Sequence, residues 1–207
     1  MKNDYTIRRE TSADYNEVEN LTREAFWNVY RPGCLEHFVL HRYRTRPDFI
    51  PELSLCLIVD GRIIAHVMYA HAEIHADDGR IVPIMTFGRI SVSPDSQHQG
   101  HGRILLQHSM EKAKELGAGA LAITGDGDFY GKSGFVVAST KGIHYYAEPR
   151  EEAVPYFLIK ELEDGFLDGV TGTYADPDGY DCEGVDIDAF DAQFPPKEKM
   201  RLPGQLA

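Results

Sequence analysis

Positive charge is scarce in this chain: 21 Lys and Arg stand against 33 Asp and Glu in 207 residues, a formal charge of −12 at pH 7. An acidic surface repels nucleic-acid backbones and anionic membranes, so neither is an expected partner. The same excess suits a cationic substrate, although it also serves solubility. No apolar run reaches the ~18 residues of a membrane span. The opening Met1-Lys2-Asn3-Asp4-Tyr5 lacks the apolar stretch of a signal peptide, and the expected compartment is the cytoplasm. Cysteine is sparse as well. Cys34, Cys56 and Cys182 are widely spaced and odd in number, which argues against a disulfide framework and a zinc knuckle. Cys56 lies in the apolar run Leu55-Cys56-Leu57-Ile58-Val59 and reads as a core residue.

What is present suffices for a folded domain. Hydrophobic residues make up 43% of the chain, and its length fits one domain or one domain with an extension. Tyr5 to Arg8 reads as a first strand. Thr11-Ser12-Ala13-Asp14 offers caps for a helix carrying Val18, Leu21, Ala25 and Phe26 on one side. Gly33 to Tyr43 reads as a second helical or irregular segment, and Arg46 to Pro51 as a break. Strands are expected over Leu53–Val59, Arg62–Ala76 and Ile81–Val92. The turns Asp60-Gly61 and Asp77-Asp78-Gly79-Arg80 join them into an antiparallel meander. A helix from Gly102 to about Leu116, with Gly117 as its cap, leads to a strand over Ala118–Thr124. A strand–loop–helix–strand unit after a meander implies a mixed α/β domain rather than a doubly wound sheet. Asp126–Lys132 reads as one or two helical turns, and Phe135–Val137 and Val154–Lys160 as final strands. The organisation expected is a domain over 1–170 and an irregular extension over 171–207, packed on that domain through Tyr180, Phe190 and Phe194.

The most informative run is Gln97-His98-Gln99-Gly100-His101-Gly102-Arg103, between the strand end Arg89-Ile90-Ser91-Val92 and the helical Ile104-Leu105-Leu106. Two glycines at a strand-to-helix junction permit a tight turn and aim backbone N–H groups together. With the helix N-terminus they suit a phosphate or pyrophosphate. Taken alone the glycines also fit a purely structural turn. A dinucleotide-binding fold would place them in an early βαβ unit, with an acidic residue about 20 residues on. No Lys-Ser or Lys-Thr pair follows, which disfavours a Walker-type loop.

Two segments sharpen this. Val92-x-Pro94-x-x-Gln97-x-x-Gly100-x-Gly102 resembles the acyl-CoA-binding motif of the GNAT superfamily of N-acyltransferases. Phe129-Tyr130-Gly131-Lys132-Ser133-Gly134-Phe135 resembles that family's second motif, and the two stand in the expected order and separation. The resemblance covers roughly residues 5 to 160. It implies a mostly antiparallel central sheet flanked by helices and splayed at a V-shaped cofactor opening. It implies acetyl-CoA as cofactor, with pyrophosphate held by Gln97, His98, Gln99, Gly100, His101, Gly102 and Arg103. The pantetheine arm would pair along Ile90, Ser91 and Val92 like an added strand. It also implies that Tyr130 protonates the departing sulfur, a role within the chemistry of a phenol.

Attack on a thioester needs a neutral amine and a stabilised oxyanion. The residues that would deprotonate the amine are less plain, because Thr86-Phe87-Gly88-Arg89 contains no carboxylate. Glu24, Glu73, His71, Asp126, Asp128 and His144 are candidates near a cation. Each also fits a solvent-facing polar residue. Trp27, Tyr30, Tyr145 and Tyr146 are candidate walls of the acceptor pocket, with Glu24, Glu73, Asp126 and His144 its candidate polar groups; the C-terminal tail, whose acids begin with Asp176 and also serve solubility, could cover the same opening. His98, His101 and His108 lack a third ligand at diagnostic spacing, so no metal is expected. The expected reaction is acetyl transfer from acetyl-CoA to a primary amine, with a small cationic amine as acceptor and a homodimer allowed. A noncatalytic CoA-binding or regulatory module and a protein-lysine acetyltransferase remain alternatives.

Overall fold

Asp60 and Gly61 both adopt positive φ, 48° and 78°, the backbone that a two-residue hairpin turn requires. They join β2 (Phe49–Val59) to β3 (Arg62–Ala76), the longest strand, whose bounds match those expected. The computed structural model describes residues 5–205; the Met1–Asp4 opening lies outside them. β1 (Tyr5–Arg9) is followed by α1 (Tyr15–Phe26) and α2 (Glu36–Tyr43). After β3 come β4 (Ile81–Phe87), β5 (Ser91–Val92), α3 (His101–Glu115), β6 (Ala120–Thr124), α4 (Gly127–Tyr130) and β7 (Val136–Val137). The chain closes with β8 (Ile143–Tyr145), β9 (Phe157–Glu161), β10 (Gly172–Tyr174) and α5 (Ile187–Asp191).

One mixed sheet runs in the order β1-β2-β3-β4-β6-β9-β7, with β5 and β10 also on β3 and β8 on β10. Its pairs are antiparallel except β4 with β6 and β8 with β10. The strand alternation of period two divides the core. Leu55, Leu57, Val67 and Tyr69 meet Leu105, Leu106, Met110 and Ala113 of α3 on one face. Cys56, Met68 and Ala70 meet Val18, Leu21, Leu40 and Tyr43 of α1 and α2 on the other. Among the described residues no helix is long and apolar enough to cross a membrane.

Three expectations are corrected. The break expected over Arg46–Pro51 is partly strand, because Phe49 and Ile50 already pair with Ala70 and Tyr69. Pro51 falls where the register slips, the place in a ladder where a missing N–H costs least. The strand expected over Ile81–Val92 is two strands. Tyr69 opposes Phe87 and His66 opposes Ser91, so three steps on β3 face four on the segment opposite. The extra residue is a bulge, which bends Gly88–Ile90 out of the ladder. Finally, Gly172–Tyr174 is a sheet strand and Ile187–Asp191 a helix, where irregular chain was expected.

Two histidines are buried in the neutral form. His37 touches Cys34, Asp191 and the rings of Phe190 and Phe194, with the Arg23 charge nearby. His66 lies 3.1 Å from Ser54 and near Glu10 and Arg44. Burial lowers the pKa of each from 6.5 to about 4. The unfolded chain therefore binds more protons between those values. Stability should be full above pH 6.5 and fall as pH drops toward 4, by up to about 3 kcal/mol per histidine. Urea unfolding at pH 7 and pH 4.5 checks this; equal stability at both would refute it.

Candidate active site

The bulge opens the sheet. β4 and β6 pair only at Met85–Leu121 and Thr86–Ala122. Beyond them Gly88–Ile90 leaves toward β3 while β6 runs on to Gly125, and a cavity of about 410 Å³ lies in the gap. Ile90, Val92, Gln97, His98, Gly100, His101, Gly102 and Arg103 line one side, and Gly125, Asp126, Phe129 and Tyr130 the other. Gly100, at φ 90°, caps α3, and His98 takes φ 59°, so the loop wraps the helix start. Gln97 Nε2 donates to the Val92 carbonyl at 3.1 Å and pins the loop to β5. The first N–H groups of α3 face the gap without intrahelical acceptors. His101 is buried, with Nδ1 3.2 Å from the Ser96 carbonyl. Its Nε2 has no partner among the described residues. An opened strand edge, free helix N–H groups and an orphaned polar atom fit a long phosphate-bearing ligand with amides in its arm.

Tyr130 lies at the base of the gap and is buried. Phe87, Phe129 and Phe135 hold its ring edge-on, at centroid distances of 5.8, 4.9 and 5.7 Å. A Cβ on Gly125 would fall 2.5 Å from Tyr130 Cε2, so only glycine lets the ring sit there. Burial pushes the phenol pKa well above the usual tyrosine range, against the opposing pull of the Arg89 charge and the Ile90 backbone. The hydroxyl keeps its proton at neutral pH and can donate it.

A second cavity, of about 220 Å³, lies between α1, α2 and the sheet. Leu40, Met68 and Phe87 are among its apolar walls, and Arg31, Glu36, His66, Thr86 and Asp176 among its polar ones. Arg89 lines both cavities, with its guanidinium 3.6 Å from the Tyr30 ring centroid. Burial raises the Asp176 pKa, although hydroxyls of Tyr145 and Tyr174 pull it back.

The acetyltransferase (GNAT) domain profile matches residues 6–138. This chain belongs to the GNAT family of acetyltransferases. A GNAT family N-acetyltransferase from Escherichia coli, YhbS, in complex with CoA is similar at TM-score 0.74 and 22% identity, over 87% of this chain and 93% of that one. A GNAT family acetyltransferase from Brucella melitensis in complex with acetyl-CoA is similar at TM-score 0.68 and 22% identity, over 86% and 99%. The ribosomal-protein-S18-alanine N-acetyltransferase from Escherichia coli reaches TM-score 0.51 at 19% identity, over 75% and 91%. These likenesses are of fold. No curated protein matches the sequence.

Within this GNAT domain the loop residues expected at the cofactor divide. Ser91 faces the second cavity, with its hydroxyl 2.9 Å from Thr22, because alternate strand residues point to opposite faces. Gln99 turns back to the Asp95 carbonyl at 3.0 Å. The residues expected at the acceptor scatter. Tyr30 and Asp126 line the larger cavity, and Asp126 caps α4 through the Asp128 N–H. Glu24 pairs with Lys197 at 2.8 Å, and Trp27 Nε1 donates to the Glu198 carbonyl at 2.9 Å; the C-terminal segment engages both. Glu73 opposes Pro83, far along β3 from the bulge, and pairs with His75. His144 lies on β8 beside a separate shallow crevice. The structure thus separates Glu24, Trp27, Glu73 and His144 from both cavities. Of the residues that line the two cavities instead, His66, Arg89 and Gly125 were not singled out by sequence, and Asp176 only as one acid of the C-terminal tail.

Proposed function

We propose that this GNAT domain transfers an acetyl group from acetyl-CoA to a primary amine, by direct attack in a ternary complex, with a small cationic amine as acceptor. The observation that carries this reading is the pair of cavities meeting at Arg89. One is a long gap with a proton-holding Tyr130 at its base; the other is small and is lined by two carboxylate residues, Glu36 and Asp176, together with Arg31. The CoA and acetyl-CoA bound by the two similar GNAT structures support the cofactor. Ile90, Val92 and the loop from Gln97 to Arg103 would hold it, and Tyr130 would deliver a proton to the sulfur. The two cavities let donor and amine meet without a covalent enzyme intermediate. The acidic composition supports a cationic acceptor and work away from nucleic acid and membranes.

The test is thiol release and product mass with acetyl-CoA and a panel of polyamines, alkylamines, amino acids, aminoglycosides, lysine peptides and alcohols. Release only with amines, and best with small cations, is the expected result. Acetyl-CoA binding without release across the panel would show a noncatalytic module, and release only with lysine peptides a protein acetyltransferase.

Gly102 offers a separate check on the cofactor. A Cβ there would meet Val92 Cγ2 at 3.3 Å and Phe129 Cζ at 3.5 Å, so the rest of a leucine side chain would crowd the gap. Gly102→Leu should weaken acetyl-CoA binding about tenfold or more by calorimetry, since close backbone approach carries the phosphate contacts. Arg103→Ala should weaken it less. Equal affinity in Gly102→Leu would mean the glycine serves the turn alone.

A further inference from the structure

We propose that Asp176, carried by the segment after β10, is the group that binds the acceptor's ammonium and takes its proton, and that the cavity around it selects primary amines with a short apolar body. The inference rests on the acetyl-transfer reading and names the acceptor site within it.

Four tyrosines frame this carboxylate. Tyr145 donates its hydroxyl to Asp176 Oδ2. Tyr174 stands beside both Asp176 and Thr86. Tyr180 packs on Tyr43 with ring centroids 5.0 Å apart and is one of the residues that line the cavity, with its hydroxyl 3.9 Å from where a Cβ on Gly88 would stand. The hydroxyls of Tyr43 and Tyr180 are buried and have no hydrogen-bond partner among the described residues. Such groups are costly unless something pairs with them. Among the described residues no cation forms an ion pair with Asp176, although it is half-buried. A carboxylate surrounded by phenol oxygens is an acceptor-rich site, which a primary ammonium with three N–H donors matches. Leu40, Met68 and Phe87 line the rest of the space, so the amine's carbon chain meets apolar walls. The position of Asp176 is fixed, because β10 is tied to β3 on one side and β8 on the other.

When bound, acetyl-CoA supplies the acetyl thioester, so that a C–N bond forms as the C–S bond breaks and R–NH3+ becomes the acetamide, a free thiol and one released proton. Asp176 takes the first proton of the ammonium and leaves the nitrogen lone pair free to attack. Tyr130 gives its proton to the sulfur and regains one from the amide nitrogen. Asp176 then returns its proton to solvent.

The test uses the full chain with CoA present and n-butylamine as probe, followed by calorimetry, with n-butanol as the neutral match. Asp176→Asn keeps the side-chain shape and should weaken n-butylamine binding at least tenfold while leaving CoA affinity within about twofold. Tyr180→Phe removes a hydroxyl that bonds nothing in the fold and should weaken the amine about threefold. In turnover, Asp176→Asn should lower kcat/KM on the order of 10²-fold. It should also remove the acidic limb of the pH profile that belongs to this carboxylate among its neighbours Arg31, Glu36, His66, Arg89 and the four phenols. Equal n-butylamine binding in wild type and both variants, or equal binding of n-butanol, would overturn the site even if some other amine is acetylated. Amine binding that depends on Asp176, without thiol release, would uphold the site and refute acetyl transfer.

Discussion

Asp191→Ala is expected to lower stability by about 3–5 kcal/mol and to free the C-terminal segment from α1 and α2. Arg23 is fully buried, with Nε 2.6 Å from Asp191 Oδ1 and Nη2 2.9 Å from Oδ2, the bidentate geometry of a strong pair. Its guanidinium is also stacked 4.2 Å from the Trp27 ring centroid, and His37 Nε2 lies 3.1 Å from the same carboxylate. Burial alone would raise the Asp191 pKa; the hydrogen bonds and charge of Arg23, with His37, outweigh it and hold the carboxyl below its ordinary range. The alanine variant leaves a buried cation with only the more distant Glu24, 3.7 Å from Nη1. Urea unfolding gives the loss, and limited proteolysis reads the freed segment. Asp191→Asn should lose less, because the amide keeps an acceptor for one N–H. An alanine variant as stable as wild type, cleaved no faster, would show that the aromatic packing of Phe190 and Phe194 holds the segment unaided.

That segment also marks where the sequence stops being readable. The meander was legible because each turn carries its own chemistry: Asp60-Gly61 suits positive φ, and the alternation of Arg62–Ala76 spans an entire strand. The loop at the start of α3 was legible for the same reason, since Gly100, Gly102 and Tyr130, which line one cavity, belong to short local motifs. The bulge was not. Ile81 to Val92 is rich in strand formers, and one extra residue leaves no periodic trace, although it opens the sheet and sends Ser91 to the other face. β8 and β10, with three residues each, are too short for a pattern. Asp176 was one of many acids in a polar tail. Only the pairing of β10 with β3 and β8 brings it to His66 and Thr86, far away in sequence. Glu73 illustrates the converse: it is on the right strand but at the end away from the bulge. The apolar spacing could have drawn attention to His66, which interrupts Ile63-Ile64-Ala65 and Val67-Met68 and is buried.

Tyr130→Phe should lower kcat on the order of 10²-fold or more while leaving acetyl-CoA affinity nearly unchanged. The ring is held by Phe87, Phe129, Phe135 and the space at Gly125, none of which needs the hydroxyl, so the variant should fold as wild type does. What it loses is a proton placed at the base of the gap beside the Ile90 backbone, where the thiol end of a pantetheine arm paired along β5 would arrive. Burial keeps that proton on the phenol above the usual tyrosine range, so wild type should show no loss of kcat from this group up to about pH 10. In the proposed reaction the amine is deprotonated elsewhere in the site, so the acidic limb of the profile should survive in Tyr130→Phe. Loss of rate at every pH, with the acidic limb in place, separates a sulfur-protonating phenol from one that only packs. A phenylalanine variant with wild-type kcat would assign the proton to water or to another group at the gap, and would leave Tyr130 a core ring.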